Sequence, residues 1–240
     1  MKIGIIVAME KEQAQLKTLF DDSHEEQIGA KIFTLGHIGQ DEIVMQQCGI
    51  GKVNSAIGTV EMINNYHPEL IVSSGVAGGA DVSLNPTDVV VSTGCTYHDA
   101  YCGAECELGQ IIGLPAIYES PTDLVEKALS INCGTKIYSG LIVSGEWFVD
   151  HREKMQQILN NFPKAMAVDM ESCSIAQTCY LYNTPFISFR IISDVPLKDE
   201  KAAQYFDFWN RMTEGSFQVT KAFLEKVSTA FSNEGRHERQ

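Results

Sequence analysis

The sequence predicts an α/β fold, a single-domain three-layer sandwich whose central mixed, largely parallel β-sheet is flanked by helices. Short apolar runs alternate with longer stretches of helical period, the pattern of a sheet covered by helices. The 240 residues suffice for one large α/β unit. No internal repeat, Gly/Ser- or Pro-rich linker or low-complexity segment divides them.

The first strand is read at 2–8 and a helix at 10–20, where Glu10 and Glu12 suit the positive end of a helix dipole. Runs at 42–48, 69–74 and 88–93 are rich in Ile and Val and read as buried strands, with a helix at 52–65 after the first of them. A helix at 122–129, strands at 137–144 and 165–168, a helix at 171–182 and a strand at 186–192 follow. The last helix is read at 209–231, where Phe217, Leu224, Val227 and Phe231 recur at helical spacing and offer a face to the sheet. The domain is therefore set at 1–231, and the polar stretch SNEGRHERQ at 232–240 is set apart as a C-terminal tail.

Eighteen basic residues against 31 acidic ones leave a net charge of −13, which repels phosphate backbones and anionic lipid surfaces, so neither nucleic acid nor membrane is an expected partner. No apolar stretch reaches the length of a spanning helix, and the opening MKIGIIVAMEKE meets charge too soon for a signal peptide; a cytoplasmic protein is expected. Seven cysteines, an odd number, read as free thiols rather than a disulfide framework. Cys95, His98, Cys102 and Cys106 crowd together, but their C-x2-H-x3-C-x3-C spacing matches no common structural zinc pattern.

In open α/β sheets ligands bind beyond the carboxyl ends of the strands, where loops converge and helix amino termini point inward. Four segments that follow strands here carry carboxylates: Glu10 and Glu12, Glu146, Asp169 and Glu171, and Asp194. Each has a plain alternative as a helix cap or dipole partner, except Asp194, which ends an apolar run just ahead of Val195-Pro196. Arg190 lies within that run and needs a carboxylate partner, either in a structural ion pair or beside Glu12 or Glu171 to orient a water or a substrate oxygen. Gly75, Gly78 and Gly79 fit close approach of a ligand to backbone, or a tight turn. The G-x-G-x-x-G spacing is absent, and Gln46 and Val53 break the P-loop pattern around Gly51-Lys52, so neither NAD nor ATP is supported.

The segments MKIGIIVAMEKE, CGIGKVNSAIGT, SSGVAGGAD, DVVVSTGCTYHDA, GLIVSGEWFV, NFPKAMAVDMES, IAQTC and FRIISDVP, in this order, resemble the bacterial 5′-methylthioadenosine/S-adenosylhomocysteine nucleosidases of the nucleoside phosphorylase superfamily. The resemblance implies a nucleoside phosphorylase-like fold and hydrolysis of an N-glycosidic bond, releasing adenine and a 5-thioribose. It assigns Glu12 to the attacking water, Asp194 to protonation of the purine N7 with Ser193 orienting it, and Arg190 to a place beside the water. Glu171 would grip the ribose hydroxyls, helped by the backbone of Met170. Phe148 would stack on the base and the backbone of Val149 read its edge. Met9, Ile50 and Phe206 would line the base, ribose and alkylthio pockets, with Val76 and Gly78 on the floor. No cofactor and no metal are implied. A homodimer is, with subunits sharing the loop near 100–115.

Three departures stand out. Val76 replaces a serine common in the family, Ile112 stands near the place of a proline in a 100–115 loop without Phe, and the 196–205 segment is longer than usual, as a mobile lid would be. The chemistry itself demands an acid at the leaving base and a carboxylate at the water, with different protonation states. A phosphorylase, a hydrolase of other purine nucleosides such as futalosine or AMP, and a purine nucleoside binding protein without turnover are the alternatives. Divalent metal on the rim carboxylates is a further one.

Overall fold

The computed structural model describes residues 1–198, 208, 209 and 217–237. Within them the order of elements is β1 (Lys2–Val7), α1 (Glu10–Lys17), β2 (Asp22–Ile28), β3 (Lys31–Ile38), β4 (Asp41–Gln47), α2 (Lys52–Tyr66), β5 (Leu70–Gly79) and β6 (Val89–Tyr97). Then come β7 (Tyr118–Glu119), α3 (Thr122–Leu129), β8 (Ile137–Ser144), α4 (Arg152–Asn161), β9 (Ala165–Asp169), α5 (Ser172–Leu181), β10 (Phe186–Asp194) and α6 (Gln218–His237). Of the helix expected from 209, Phe208 and Trp209 are helical, 210–216 lie outside the described residues, and α6 takes in 232–237. Phe206 and most of the 196–205 segment lie outside the described residues.

The strands form one mixed sheet that runs β2, β3, β4, β1, β5 from its free edge. There β5 pairs with both β10 and β9, and the pairings β10–β6–β8–β9 lead back to β5, so five strands close into a barrel, with β7 added to β6. Two expectations need correction. The sheet is not simply an open layer between helices, and of its ten described pairings five are parallel and five antiparallel. Closure has a local cause. The glycine end of β5 takes β9 antiparallel, with Gly78 opposite Val168 and Gly79 opposite Ala167. Register shifts between Ser92 and Gly94, between Leu141 and Ile142 and between Ile192 and Asp194 add the twist that a closed sheet requires.

This pairing also explains why β5, β6 and β10 outrun the apolar runs that announced them. Gly75, Gly78 and Gly79 belong to the strand itself, not to a turn after it. The hairpin β2–β3, the short β7 and the helix α4 are additions to the expected elements. β2 is an exposed edge strand, DSHEEQI, and so carries no apolar face to read.

Alternation along the strands divides the core. Ile5, Val72, Val91 and Phe189 pack with Leu16 of α1, Leu124 of α3 and Phe223 of α6. The opposite face joins Ile6, Ile71 and Val90 to Met62 of α2 and to Ile175 and Cys179 of α5. Met155 and Ile158 of α4 cover Val143 and Val168 in a third cluster. The helices thereby hold the strand ends in place while the loops beyond them stay free to build a site.

Phe189 is 1% exposed, and its ring centroid lies 4.8 Å from that of Phe223. Phe189→Ala should cost about 3–5 kcal/mol of unfolding free energy, the range for deleting a buried aromatic ring. Urea unfolding of the two proteins measures it, and a loss below about 1 kcal/mol would mean that the β10–α6 contact is not a pillar of the core.

Candidate active site

The carboxyl ends of β1, β5, β9 and β10 and the loop after β8 surround a cleft. Glu12, Glu171 and Asp194, read from three separate segments of the sequence, all line it.

Glu12 sits in the first turn of α1, and its carboxylate turns back over the helix amino terminus. Oε2 accepts hydrogen bonds from the backbone N–H of Ala8 at 2.9 Å and of Met9 at 3.0 Å. Oε1 accepts from the N–H of Val76 on β5, at 3.0 Å. Gly75 is what allows this approach, since a Cβ there would lie 2.7 Å from Oε1. Glu12 is therefore both a helix cap and a wall of the cleft. Burial pushes its pKa up, while the Arg190 charge and the three N–H groups pull the other way without cancelling it.

Asp194 reaches the cleft because β10 bulges just before it, between Ile192 and Asp194. The Ser193 hydroxyl donates to its Oδ1 at 2.6 Å. Burial raises the pKa of Asp194, the Ser193 hydrogen bond opposes this, and the negative charge of Asp150 adds to the rise. Glu171 stands at the N-cap of α5 and accepts the Gly51 N–H at 2.8 Å. Burial, and next the charge of Asp169, hold Glu171 well above the usual carboxylate range.

Arg190 is 3% exposed and does not line the cleft. Its Nε donates to Asp169 Oδ2 at 2.6 Å, Nη2 to Ser73 Oγ at 2.9 Å and Nη1 to the Phe189 carbonyl at 3.2 Å. Its partner is thus Asp169, and it meets Glu12 as a neighbouring charge. Asp169 also accepts the hydroxyls of Ser144 and Ser172. The sequence marked Asp169 only as one of several rim acids, and nothing in it marked Ser73. An arginine inside an apolar strand is the signal in the sequence for a buried acidic partner, here Asp169 on β9, a strand that β10 does not pair with.

Of the other expected site residues, Met9, Ile50, Val76 and Gly78 line the cleft, as do Phe148, Val149, Met170 and Ser193. Phe206 lies outside the described residues. Phe148 and Trp147 are half exposed at the mouth, while Val149 is buried. Val76 contributes its backbone N–H, so the group that meets Glu12 at this position does not depend on the side chain. Among the described residues that line the cleft, Glu12, Asp169, Glu171 and Asp194 are acidic and none is a lysine or arginine. Cys95 is buried and unpaired, and no three metal-ligating side chains gather among the described residues.

Residues 2–225 match the phosphorylase superfamily. The chain is 40% identical over 230 residues to the 5′-methylthioadenosine/S-adenosylhomocysteine nucleosidase of Desulfotalea psychrophila, covering 95% of this chain and 98% of that protein. The nucleosidase of Colwellia psychrerythraea 34H, solved in complex with adenine, superposes with a TM-score of 0.86 at 34% identity, over 94% of this chain and 95% of the other. The S. pneumoniae nucleosidase with the transition-state inhibitor MT-ImmA gives 0.87 at 30% identity, over 95% and 100% of the two chains. A shared fold, matched over nearly the whole length at this identity, places the chain in the phosphorylase superfamily and, within it, in the 5′-methylthioadenosine/S-adenosylhomocysteine nucleosidase family.

Proposed function

We propose that the protein hydrolyses the N-glycosidic bond of 5′-methylthioadenosine and S-adenosylhomocysteine, releasing adenine and the 5-thioribose. One observation carries this: two buried carboxyl groups with different surroundings face one cleft whose described lining holds no lysine or arginine. Glu12 has three N–H donors and a guanidinium neighbour, which favour its ionised form. Asp194 is buried beside the like charge of Asp150, which together favour its protonated form against one hydroxyl donor, Ser193, among the described residues.

In this reading the proton of Asp194 passes to N7 as the C1′–N9 bond breaks and its electron pair leaves with adenine. Glu12 takes a proton from the water that forms the new bond at C1′, where oxocarbenium character builds up. Ser193 orients Asp194, and Glu171 with the Met170 backbone holds the ribose hydroxyls. Phe148 stacks on the base, the Val149 backbone reads its edge, and Met9 and Ile50 close the base and ribose sides. Arg190, fixed by Asp169, steadies Glu12 in its charged form. A phosphorylase would need positive charge around its anion, and none lines the cleft among the described residues.

The same reading has the protein act in the cytoplasm as a homodimer. Seven unpaired cysteines accord with a reducing compartment. Ile50, Val53 and Ile57 at the start of α2 and Tyr101 and Ile112 in the 100–115 loop are all exposed, an apolar rim beside the cleft for a second subunit to cover.

Release of adenine from either nucleoside in phosphate-free buffer tests the activity, and a strict phosphate requirement would replace it with phosphorolysis. Asp194→Asn should lower kcat at least about 100-fold while an adenosine analogue still binds, as loss of a general acid would. Turnover equal to the parent would remove the acid role.

Activity should follow a bell-shaped pH profile. It rises with pH as Glu12 ionises and falls as Asp194 loses its proton, with both limbs above the ordinary carboxylate range because both groups are shifted upward. Asp150→Asn removes the charge that raises Asp194, so the alkaline limb of kcat/KM should move to lower pH; an unmoved limb would assign it to another group.

A further inference from the structure

Three loops meet at the rim of the cleft, outside the groups that the chemistry uses. The loop after β4 enters α2 through Gly51, whose φ of +94° favours glycine and whose added Cβ would lie 2.6 Å from Glu146 Oε2. Glu146, in the loop after β8, accepts the Lys52 N–H at the first residue of α2, at 2.5 Å. Asp99, in the loop after β6, accepts the Lys52 Nζ at 2.9 and 3.0 Å and the Glu146 N–H at 2.8 Å. His98 packs directly under the same loop, where a Cβ on Gly145 would lie 2.4 Å from its ring. Lys52 Nζ also stands 5.2 Å from the centre of the Tyr97 ring, and the Tyr97 hydroxyl donates to Gln177 of α5 at 2.7 Å.

We propose that Lys52, Asp99 and Glu146 are positioning residues, a clamp that fixes the two loops carrying Ile50 and Phe148 against each other and holds Gly51 beneath Glu171. This deepens the nucleosidase reading and rests on it. An isolated ion pair at a surface contributes little, typically under about 1 kcal/mol. Here the Lys52 and Asp99 side chains are 28% and 29% exposed, and Asp99 spends one oxygen on both the lysine and a backbone N–H. The gain is therefore in geometry. Gly51 sits between two carboxylates, with Glu171 on its own N–H and Glu146 on the next one. Phe148 follows Glu146 by two residues, so freeing Glu146 loosens the stacking wall together with the floor below Glu171. Neither Asp99 nor Lys52 lines the cleft. Their effect must pass through Glu171, Ile50 and Phe148, and it falls on substrate binding ahead of the chemical step.

Trp209→Phe leaves Trp147, next to Glu146, as the sole tryptophan, and in that background the clamp can be opened with Asp99→Asn or Lys52→Met. Either change should raise KM for 5′-methylthioadenosine about tenfold or more with kcat within about threefold, since the loosened contacts hold ground state and transition state alike. Trp147 fluorescence anisotropy should fall in both, Lys52→Arg should retain most of the parent KM, and the double variant should be no worse than either single one, because one unit is lost once. A KM within about twofold of the parent in a folded variant, unchanged anisotropy, or additive losses would overturn the clamp. If Asp99→Asn does not fold, Lys52→Met decides the matter by the same readouts. If the parent itself releases no adenine, the nucleosidase reading fails, and the adenine Kd and Trp147 anisotropy of parent and Asp99→Asn still decide for or against the clamp.

Discussion

The contact between Arg190 and Asp169 holds the centre of the molecule together. A guanidinium with 3% exposure is tolerable only with its charge matched and its donors occupied, and here Nε goes to Asp169, Nη2 to Ser73 and Nη1 to a carbonyl. Asp169 in turn takes the Ser144 hydroxyl from β8 and both the hydroxyl and the N–H of Ser172 at the start of α5. One carboxylate thus ties β8, β9, β10 and α5 at the level where the barrel closes. Removing either partner of a buried pair leaves a charge without compensation, at about 3–5 kcal/mol.

The cleft inherits its electrostatics from this pair. Glu12, Glu171 and Asp194 share a small volume, and burial pushes each of them toward the neutral form. Arg190, lying behind the wall, supplies the positive potential beside Glu12, and backbone N–H groups supply more. Asp194 stands beyond the bulge, where, among the described residues, Ser193 favours its charge. Two carboxyl groups of similar intrinsic acidity thereby sit in different surroundings, the arrangement on which the proposed acid–base roles rest.

Backbone shape does as much as side-chain identity. Without Gly75 the Glu12 carboxylate would collide with β5, and without the bulge ahead of Asp194 the acid would be turned from the cleft by strand alternation. The same economy appears at Gly51, where the lack of a side chain leaves room for Glu146 at the amino terminus of α2.

Much of this was legible in the residues. Ile- and Val-rich runs marked eight-residue or shorter stretches of β1, β4, β5, β6, β8, β9 and β10, because burial on both faces leaves a continuous apolar record. Residues that follow those runs pointed to Glu12, Glu171 and Asp194, since strand ends deliver their loops to one rim. The β2–β3 hairpin went unread because its outer strand is exposed along all but its last residue, although Gly29 and Gly39, both with positive φ, flank β3 as hairpin turns would. Met155, Ile158 and Phe162 had the spacing of α4 but lie in a polar stretch. Local pattern therefore determined which segments are strands and helices and which acids sit at their ends. Only the tertiary structure decided that the sheet closes, that Arg190 pairs with Asp169 and that Glu12 meets Val76, because these join positions 21 and 64 residues apart in the chain, beyond the reach of any local periodicity.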